Sequence, residues 1–359
     1  MVHPGWLPNK LIGLELPNRG KLSTKVFGLQ HRTLVLLAPA ENGKTVWPNV
    51  GSPAIVSMPT THSQTAITGT IIERKLKPLP LIFVRLDQDI PLIAAVQKRP
   101  NKVIAVASGK GGTGKTFLAL NIAWGLALQG FRTLVVDLDL GTANLSVALG
   151  LAPRHNLSDV IEGTLELDQV ICTISHNLAL IPGAAKSKEY ASLSPWQFHR
   201  LVTGLAQLEE KWDYLILDTG AGLSPNTTTF LYLVDYILMV INPEPASLLD
   251  GYGLLKAIAD QFWTPKTGLV VNRILDPEEA DECATRFSGA ARQFLDLTVQ
   301  YLGGIHEDRD ILDSLKVARP VLAAYPSSTA SSDLKNVTDK LMVALNDTQI
   351  SYRRLRPSR

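Results

Sequence analysis

Cysteine is scarce in this chain. Cys172 and Cys283 are the only two in 359 residues, and neither has a second cysteine nearby. That argues against a disulfide framework and against a Cys-x-x-Cys metal or cluster site, and it suits a reducing compartment. An excess of one charge is missing too, since 35 basic side chains stand against 33 acidic ones, a net +2. Bulk charge therefore implies neither a nucleic-acid-coating surface nor an acid-rich tail, and no nucleic-acid partner is expected. No apolar run approaches the roughly 20 residues that cross a bilayer. The start, Met1-Val2-His3-Pro4-Gly5-Trp6, lacks the charged-then-apolar plan of an export signal. Internal repeats and low-complexity segments are also missing, so a folded, cytoplasmic protein is expected. What the chain does have is apolar content, 45%, enough at this length for one large core and one smaller one.

The two cores fall in regions of different period. Between Lys10 and Leu86, short stretches rich in Val, Ile, Leu and Thr are separated by Pro, Gly and Asn clusters such as Pro17-Asn18-Arg19-Gly20. This spacing predicts strands at about 10–16, 21–28, 32–38, 53–58, 64–75 and 80–86, and so few of them suggest a small antiparallel β-barrel domain over 1–86. A linker over 87–102 carries Pro91 and Pro100. After it, apolar strands alternate with helical periods, the pattern of a mostly parallel sheet flanked by helices, expected over 103–346. Buried strands are predicted at Val103–Ala107, Thr133–Asp137, Leu178–Ile181, Tyr214–Leu217, Tyr236–Ile241 and Gly268–Val271. A helix over Lys115–Leu128 should stop at Gly130 through a left-handed cap. The last helix carries Leu334, Val337, Leu341 and Leu345 at core-facing spacing, and a basic tail follows over 347–359. Tyr352-Arg353-Arg354-Leu355-Arg356 offers charge but too little apolar surface for a strong membrane anchor.

The sharpest motif lies between the first of these strands and its helix. Ser108-Gly109-Lys110-Gly111-Gly112-Thr113-Gly114-Lys115-Thr116 satisfies G-x-x-x-x-G-K-[ST], the P-loop. Its glycines let successive backbone N–H groups turn toward a phosphate, and the helix N-terminus adds its positive dipole end. Lys115 is expected on the β and γ phosphates of ATP and the Thr116 hydroxyl on Mg²⁺. Two carboxylates, Asp137 and Asp139, close a later strand where such sheets bind ligands. Leu215-Ile216-Leu217-Asp218 reads as an apolar strand ending in the aspartate that holds Mg²⁺. The glycines after it, Gly220 and Gly222, are suited to a switch that senses the γ phosphate.

The early lysine narrows the class. With Lys110 the loop reads K-G-G-x-G-K-T and resembles the deviant Walker A motif of MinD and ParA ATPases, which implies a P-loop NTPase fold and an ATPase that forms an ATP-dependent homodimer. The resemblance implies that Lys110 reaches the partner's nucleotide, that Asp139 orients the attacking water with Asp137 in support, and that the amide of Asn272, in Val270-Val271-Asn272-Arg273, reads the adenine. Asp137-Leu138-Asp139-Leu140-Gly141-Thr142-Ala143-Asn144-Leu145 is similar to that group's D-x-D-x-G-x-x-N-L segment. Asp218-Thr219-Gly220-Ala221-Gly222-Leu223-Ser224 and Pro243-Glu244-Pro245-Ala246-Ser247 resemble FlhG, the MinD-like regulator of flagellar number and placement, over about residues 102–345. From that likeness an FlhF-type GTPase or flagellar switch components follow as partners. Asp87–Ile93 matches the family's GTPase-stimulating segment only in part, and Ile305-His306-Glu307-Asp308 stands where the family has I-P-x-D. Residues 10–99 resemble the PilZ-like N-terminal half of YcgR-type flagellar brake proteins, with Val96-Gln97-Lys98-Arg99 at the joint. Val103 occupies the second arginine position of the cyclic di-GMP motif, so no site for that messenger is expected; a generic β domain for protein contact is the other reading. For the whole chain the alternative is a positioning ATPase for a plasmid, chromosome, division site or TadZ/CpaE-like pilus machine. A peripheral place at the inner face of the membrane stays open.

Overall fold

The computed structural model describes residues 11–87 and 103–346, apart from 18, 31–32, 42–43, 60–63, 76–80, 141–143, 185–189, 191, 210 and 260–264. Residues 88–102, the tail from 347, and Gly141, Thr142 and Ala143 of the D-x-D segment lie outside the described residues. The described residues fall into two compact units, those up to Arg99 together with Leu193–Gln207, and those of Pro100–Ser192 and Leu208–Gln349.

The first unit is built from β1 (Leu11–Leu16), β2 (Gly20–Gln30), β3 (Thr33–Leu37), β4 (Ala40–Glu41), β5 (Lys44–Thr45), β6 (Pro53–Pro59), β7 (Gln64–Lys75) and β8 (Leu81–Leu86). Six of these strands form a closed barrel in the order β1-β2-β3-β8-β7-β6, antiparallel throughout and shut where Gly13 to Glu15 pair with Ser57 to Ile55. Alternation explains which residues fill it. Ile12, Leu14 and Leu16 point inward with Leu34, Leu36, Ile82 and Val84, all buried, while Glu15 and Arg85 between them are exposed. Each such side chain contributes about 1.5–3 kcal/mol by leaving water. The two-residue ladder β4–β5 escaped the sequence reading because so short a pairing has no period to see.

The second unit runs β9 (Val103–Ala107), α1 (Lys115–Leu128), β10 (Thr133–Leu138), α2 (Asn144–Ala148), α3 (Leu157–Glu162), β11 (Cys172–Ser175), β12 (Leu178–Ile181), then β13 (Tyr214–Thr219), α5 (Pro225–Leu231), β14 (Tyr236–Ile241), α6 (Pro245–Ala259), β15 (Lys266–Ile274), α7 (Pro277–Leu295), β16 (Val299–His306), α8 (Arg309–Lys316), α9 (Val321–Ala324) and α10 (Thr329–Asn346). Helix α4 (Pro195–Leu208) interrupts it after β12 and, over Leu193–Gln207, groups with the first unit. The sheet order is β11-β12-β10-β13-β9-β14-β15-β16, parallel except for the antiparallel edge strand β11. Every residue of β9, β10, β12, β13 and β14 is buried, which is why these strands read as unbroken apolar runs. Leu118, Ile122 and Leu126 of α1 meet Ile104, Val106 and Ile216 of the sheet and Leu334, Val337, Leu341 and Leu345 of α10 in one core. Gly130, at φ 92°, ends α1 in the left-handed conformation that its position after Leu128 implied.

Candidate nucleotide site

The site forms at the C-terminal end of β9, in the middle of the sheet, with β13 on one side and β14 on the other. Two of the loop's glycines are required by space. A Cβ on Gly109 would come within 1.9 Å of the Asp250 carbonyl oxygen, so the loop backbone lies directly against α6. Gly114 holds φ 96°, and a Cβ there would meet the Asn272 amide nitrogen at 2.3 Å. This left-handed residue is the N-cap of α1 and turns the chain so that Lys115 opens the helix. The Ser108 hydroxyl donates to the Lys110 carbonyl at 2.6 Å, which fixes the start of the curl.

Four charged groups converge beneath the loop. Asp137 and Asp218 are cross-strand partners at the ends of β10 and β13, and both are fully buried. Burial first, then the Asp218 charge, pushes the Asp137 carboxyl up to about 8, although backbone donors oppose the shift. Those donors are the Asp139 N–H, 3.2 Å from one oxygen, and the Leu145 N–H, 3.2 Å from the other. Asp137 thus anchors the connection from β10 to α2 and sets the place of Asp139. Gly183 leaves the room for it, since a Cβ there would lie 2.7 Å from the Asp137 carboxyl carbon. Asp218 is held differently. Burial raises its pKa to about 7, with the Thr116 hydroxyl and the Lys115 ammonium opposing. Neither of its oxygens finds a hydrogen-bond donor of good geometry, although the Thr116 hydroxyl lies close enough to lower its pKa. Lys115 is itself 8% exposed, and burial lowers its pKa while Asp218 and Asp139 hold it up.

This donor set fits Mg²⁺. A buried carboxylate without hydrogen-bond partners, with a hydroxyl beside it, offers oxygen ligands to a small hard cation. Among the described residues no group of three or more His, Cys, Asp or Glu is arranged to hold a metal ion by itself, and Mg²⁺ sites commonly take only one or two protein ligands, with phosphate and water as the others.

Three further elements surround the loop. The Gly222 N–H donates to the Ser108 carbonyl at 3.0 Å, tying the segment after β13 to the loop, and the Thr219 hydroxyl at the end of β13 donates to the Val106 carbonyl of β9 at 2.9 Å. A Cβ on Gly220 would lie 3.7 Å from an Asp139 oxygen, which sets Asp139 against that segment. Ser224 then caps α5 through the Thr227 N–H. Asn272, at the end of β15 and buried, donates its amide to the Thr113 carbonyl at 2.7 Å and so braces the loop. Lys110, at the mouth, pairs with Glu244 at 2.8 Å. Sequence reasoning placed Glu244 inside a motif but gave it no role, and it overlooked Gly183, whose only signal is the space it leaves. His306 points away from this work; its Nδ1 lies 2.8 Å from Asp333 of α10, and its backbone N–H binds the same oxygen at 3.0 Å.

Comparison with known proteins agrees with this geometry. A family model described as an AAA domain matches residues 101–264, and one described as flagellar protein YcgR matches residues 8–86. The chain is similar to the solved septum site-determining protein MinD from Pyrococcus horikoshii complexed with Mg-ADP, at 26% identity and a TM-score of 0.59, covering 69% of this chain and 98% of that one. Fold and site together define a MinD/ParA-type P-loop ATPase. Antiactivator FleN of Pseudomonas aeruginosa is 34% identical over 242 residues, 67% of this chain and 86% of FleN. The flagellum site-determining protein YlxH of Helicobacter pylori is 29% identical over 250 residues, 69% of this chain and 84% of YlxH. The chain belongs to the FleN/FlhG family of MinD-like ATPases.

Proposed function

We propose that this chain is an ATP-switched regulator of flagellar number or placement, which dimerises with ATP bound and comes apart after hydrolysis. The observation that carries this reading is an intact P-loop site, with Lys115, Thr116, Asp218 and Asp139 converging, in a chain whose residues 8–86 match a flagellar YcgR model. The similarity to FleN and YlxH supports the same process. Thr116 and Asp218 hold Mg²⁺, which supplies positive charge to the phosphates when bound. Gly111 to Thr113 present backbone N–H groups to the phosphates, and Lys115 adds the buried cation. Asp139 orients the attacking water, and Asp137 fixes the backbone that carries it. Asn272 keeps its amide oxygen for the adenine amine, so ATP is preferred over GTP. Lys110, outside its own site, neutralises charge on the partner's phosphates in the transition state, as an arginine finger does. FlhF-type GTPases or flagellar switch components are the partners that read the nucleotide state from the cytosol. A MinD-like role at the division site is the second reading, favoured by 30% identity to MinD of Neisseria meningitidis over 67% of this chain. Counting flagella and septa in a deletion strain separates the two.

Light scattering after gel filtration tests the switch. With Mg²⁺-ATP, Asp139→Ala should accumulate as a dimer with little turnover, and Lys110→Ala should bind ATP as a monomer. An Asp139→Ala that binds ATP and stays monomeric, or a Lys110→Ala that hydrolyses at the normal rate, removes the trans-lysine mechanism.

A further inference from the structure

Helix α4 lies between β12 and β13 in the chain, yet Leu193–Gln207 groups with the barrel. A reciprocal cap starts the helix. The Ser194 N–H donates to the Gln197 side chain at 2.9 Å, and the Gln197 N–H to the Ser194 hydroxyl at 3.3 Å. Phe198, Leu201, Val202 and Leu205 give α4 a buried apolar stripe, and His199 and Thr203 form a second, half-buried stripe beside it. The barrel acts on this second stripe. The Ser23 backbone of β2 favours the protonated His199 ring, against the burial that lowers its pKa, although the buried Nε2 makes no hydrogen bond of good geometry. A second set of bonds starts in the segment after β13. The Ser224 hydroxyl donates to the Thr227 hydroxyl at 2.9 Å, and that hydroxyl donates to the Gly220 carbonyl at 3.2 Å, so the first turn of α5 is fastened to Gly220. Asn226, in the same turn, donates its amide to the Tyr190 carbonyl at 2.7 Å. Tyr190 is 4% exposed, and its hydroxyl donates to Glu162 of α3 at 2.7 Å. Leu193, where the stretch that groups with the barrel begins, follows shortly after Tyr190 in the chain.

We infer that α4 is the surface through which the barrel and the nucleotide switch act on one another, with Asn226 as the positioning residue that carries the place of Gly220 to the start of α4. The inference rests on the reading of Gly220 and Gly222 as the segment that senses the γ phosphate. When that segment shifts, the Thr227 bond draws the first turn of α5 with it, and Asn226 passes the shift to the Tyr190 carbonyl. Glu162 holds the Tyr190 ring by its hydroxyl, so the displacement falls on the backbone that leads into α4. The partner that α4 fits is therefore the chain's own barrel, and the first unit gains a role that needs no small-molecule ligand. The coupling runs both ways, since a nucleotide that alters the hold on α4 must feel any change in that hold as a change in its own affinity.

The size of the effect follows from the Asn226 bond, because one hydrogen bond shifts an equilibrium by roughly 2- to 13-fold. The test is hydrogen exchange read by mass spectrometry on the full chain, with and without Mg²⁺ and the non-hydrolysable analogue adenylyl imidodiphosphate. In wild type the analogue should slow exchange in the phosphate-loop peptide and change the rates in the α4 and β2 peptides by about 2- to 13-fold. Asn226→Ala should keep the phosphate-loop response and lose most of the response in α4 and β2. His199→Ala should keep the response in α4 and lose it in β2. Titration of the analogue gives a second reading that does not depend on the Asn226 variant. His199→Ala should change its affinity by a factor in the same range, roughly 2 to 13. In an Asn226→Ala background that change should vanish, a non-additivity that separate structural defects would not produce. Wild-type α4 rates that ignore the analogue, an Asn226→Ala that keeps the full response, or a His199→Ala with unchanged affinity overturns the inference. If the phosphate loop responds while α4 stays silent, only the coupling is lost. If the phosphate loop itself does not respond, the nucleotide reading falls as well.

Discussion

Asp218→Asn should make the nucleotide-free protein more stable, and more so as pH rises. The Asp218 carboxyl is fully buried, and folding moves its pKa from 3.8 to about 7. A carboxyl whose pKa is raised on folding is favoured as the neutral acid, so its contribution is fully present below pH 4 and is lost as pH rises through about 7. At 1.36 kcal/mol per unit, the full loss is about 4 kcal/mol, and the larger part of it goes between pH 5 and pH 8. Asp137, raised to about 8 in part by the Asp218 charge, acts in the same direction and is relieved by the same substitution. The assay is urea unfolding of wild type and variant in parallel at pH 5, 6, 7 and 8 in EDTA. Pulsed hydrogen exchange in the β13 and β14 peptides reports the second unit alone. The stability gap should open by about 3 kcal/mol in favour of Asn across this range. Added Mg²⁺ and nucleotide should then stabilise wild type and do little for the variant, because binding to the folded state alone shifts the equilibrium by mass action. A gap that stays constant with pH, or an Asn variant less stable at pH 8, refutes the account of a carboxylate kept ready for a cation.

Two other outcomes are expected. Gly114→Ala must take φ 96° with a side chain and push the Asn272 amide, 2.3 Å from the new Cβ; strain of about 1–2 kcal/mol should reach the phosphate cradle, and titration with a fluorescent ATP analogue should show an affinity roughly 5- to 30-fold weaker than wild type, while an unchanged affinity would mean the loop does not hold the phosphates. Calorimetric titration of the full chain with cyclic di-GMP should show no heat, since Val103 replaces the second arginine of that motif; micromolar binding would overturn this.

How much of this was legible in the sequence follows from burial. Val103–Ala107, Leu178–Ile181 and Tyr236–Ile241 are buried on both faces, and their unbroken apolar runs marked them at the residues observed. β16 was missed because Val299–His306 carries Gln300, Gly303 and Gly304 and is buried only at intervals; its partner β15 also shifts register between Leu269 and Val270. β11 is a four-residue edge strand with no fully buried position. Among site residues, Lys115, Thr116 and Asp218 announced themselves by spacing. The closeness of Asp137 to Asp218 required the register of two strands 76 or more residues apart in the chain, and Glu244 beside Lys110 required the packing of α6 on the loop. The grouping of Leu193–Gln207 with the barrel has no local signal, because an amphipathic helix does not declare which core it covers.

The closed barrel limits how its surface can be recognised. Among the described residues each of the six barrel strands has a partner on both sides, β1 with β2 and, over Gly13 to Glu15, with β6, so the ring has no open edge strand for another chain to extend. Its interior is filled by Leu14, Leu34, Leu36, Ile67 and Ile82, leaving the outer faces for recognition. Whatever docks there must therefore read individual side chains such as Glu15 and Arg85. Single outward substitutions could then retune the choice of partner without disturbing the hydrogen-bonded frame beneath, and this surface could change allegiance over evolutionary time while the nucleotide chemistry stayed constant.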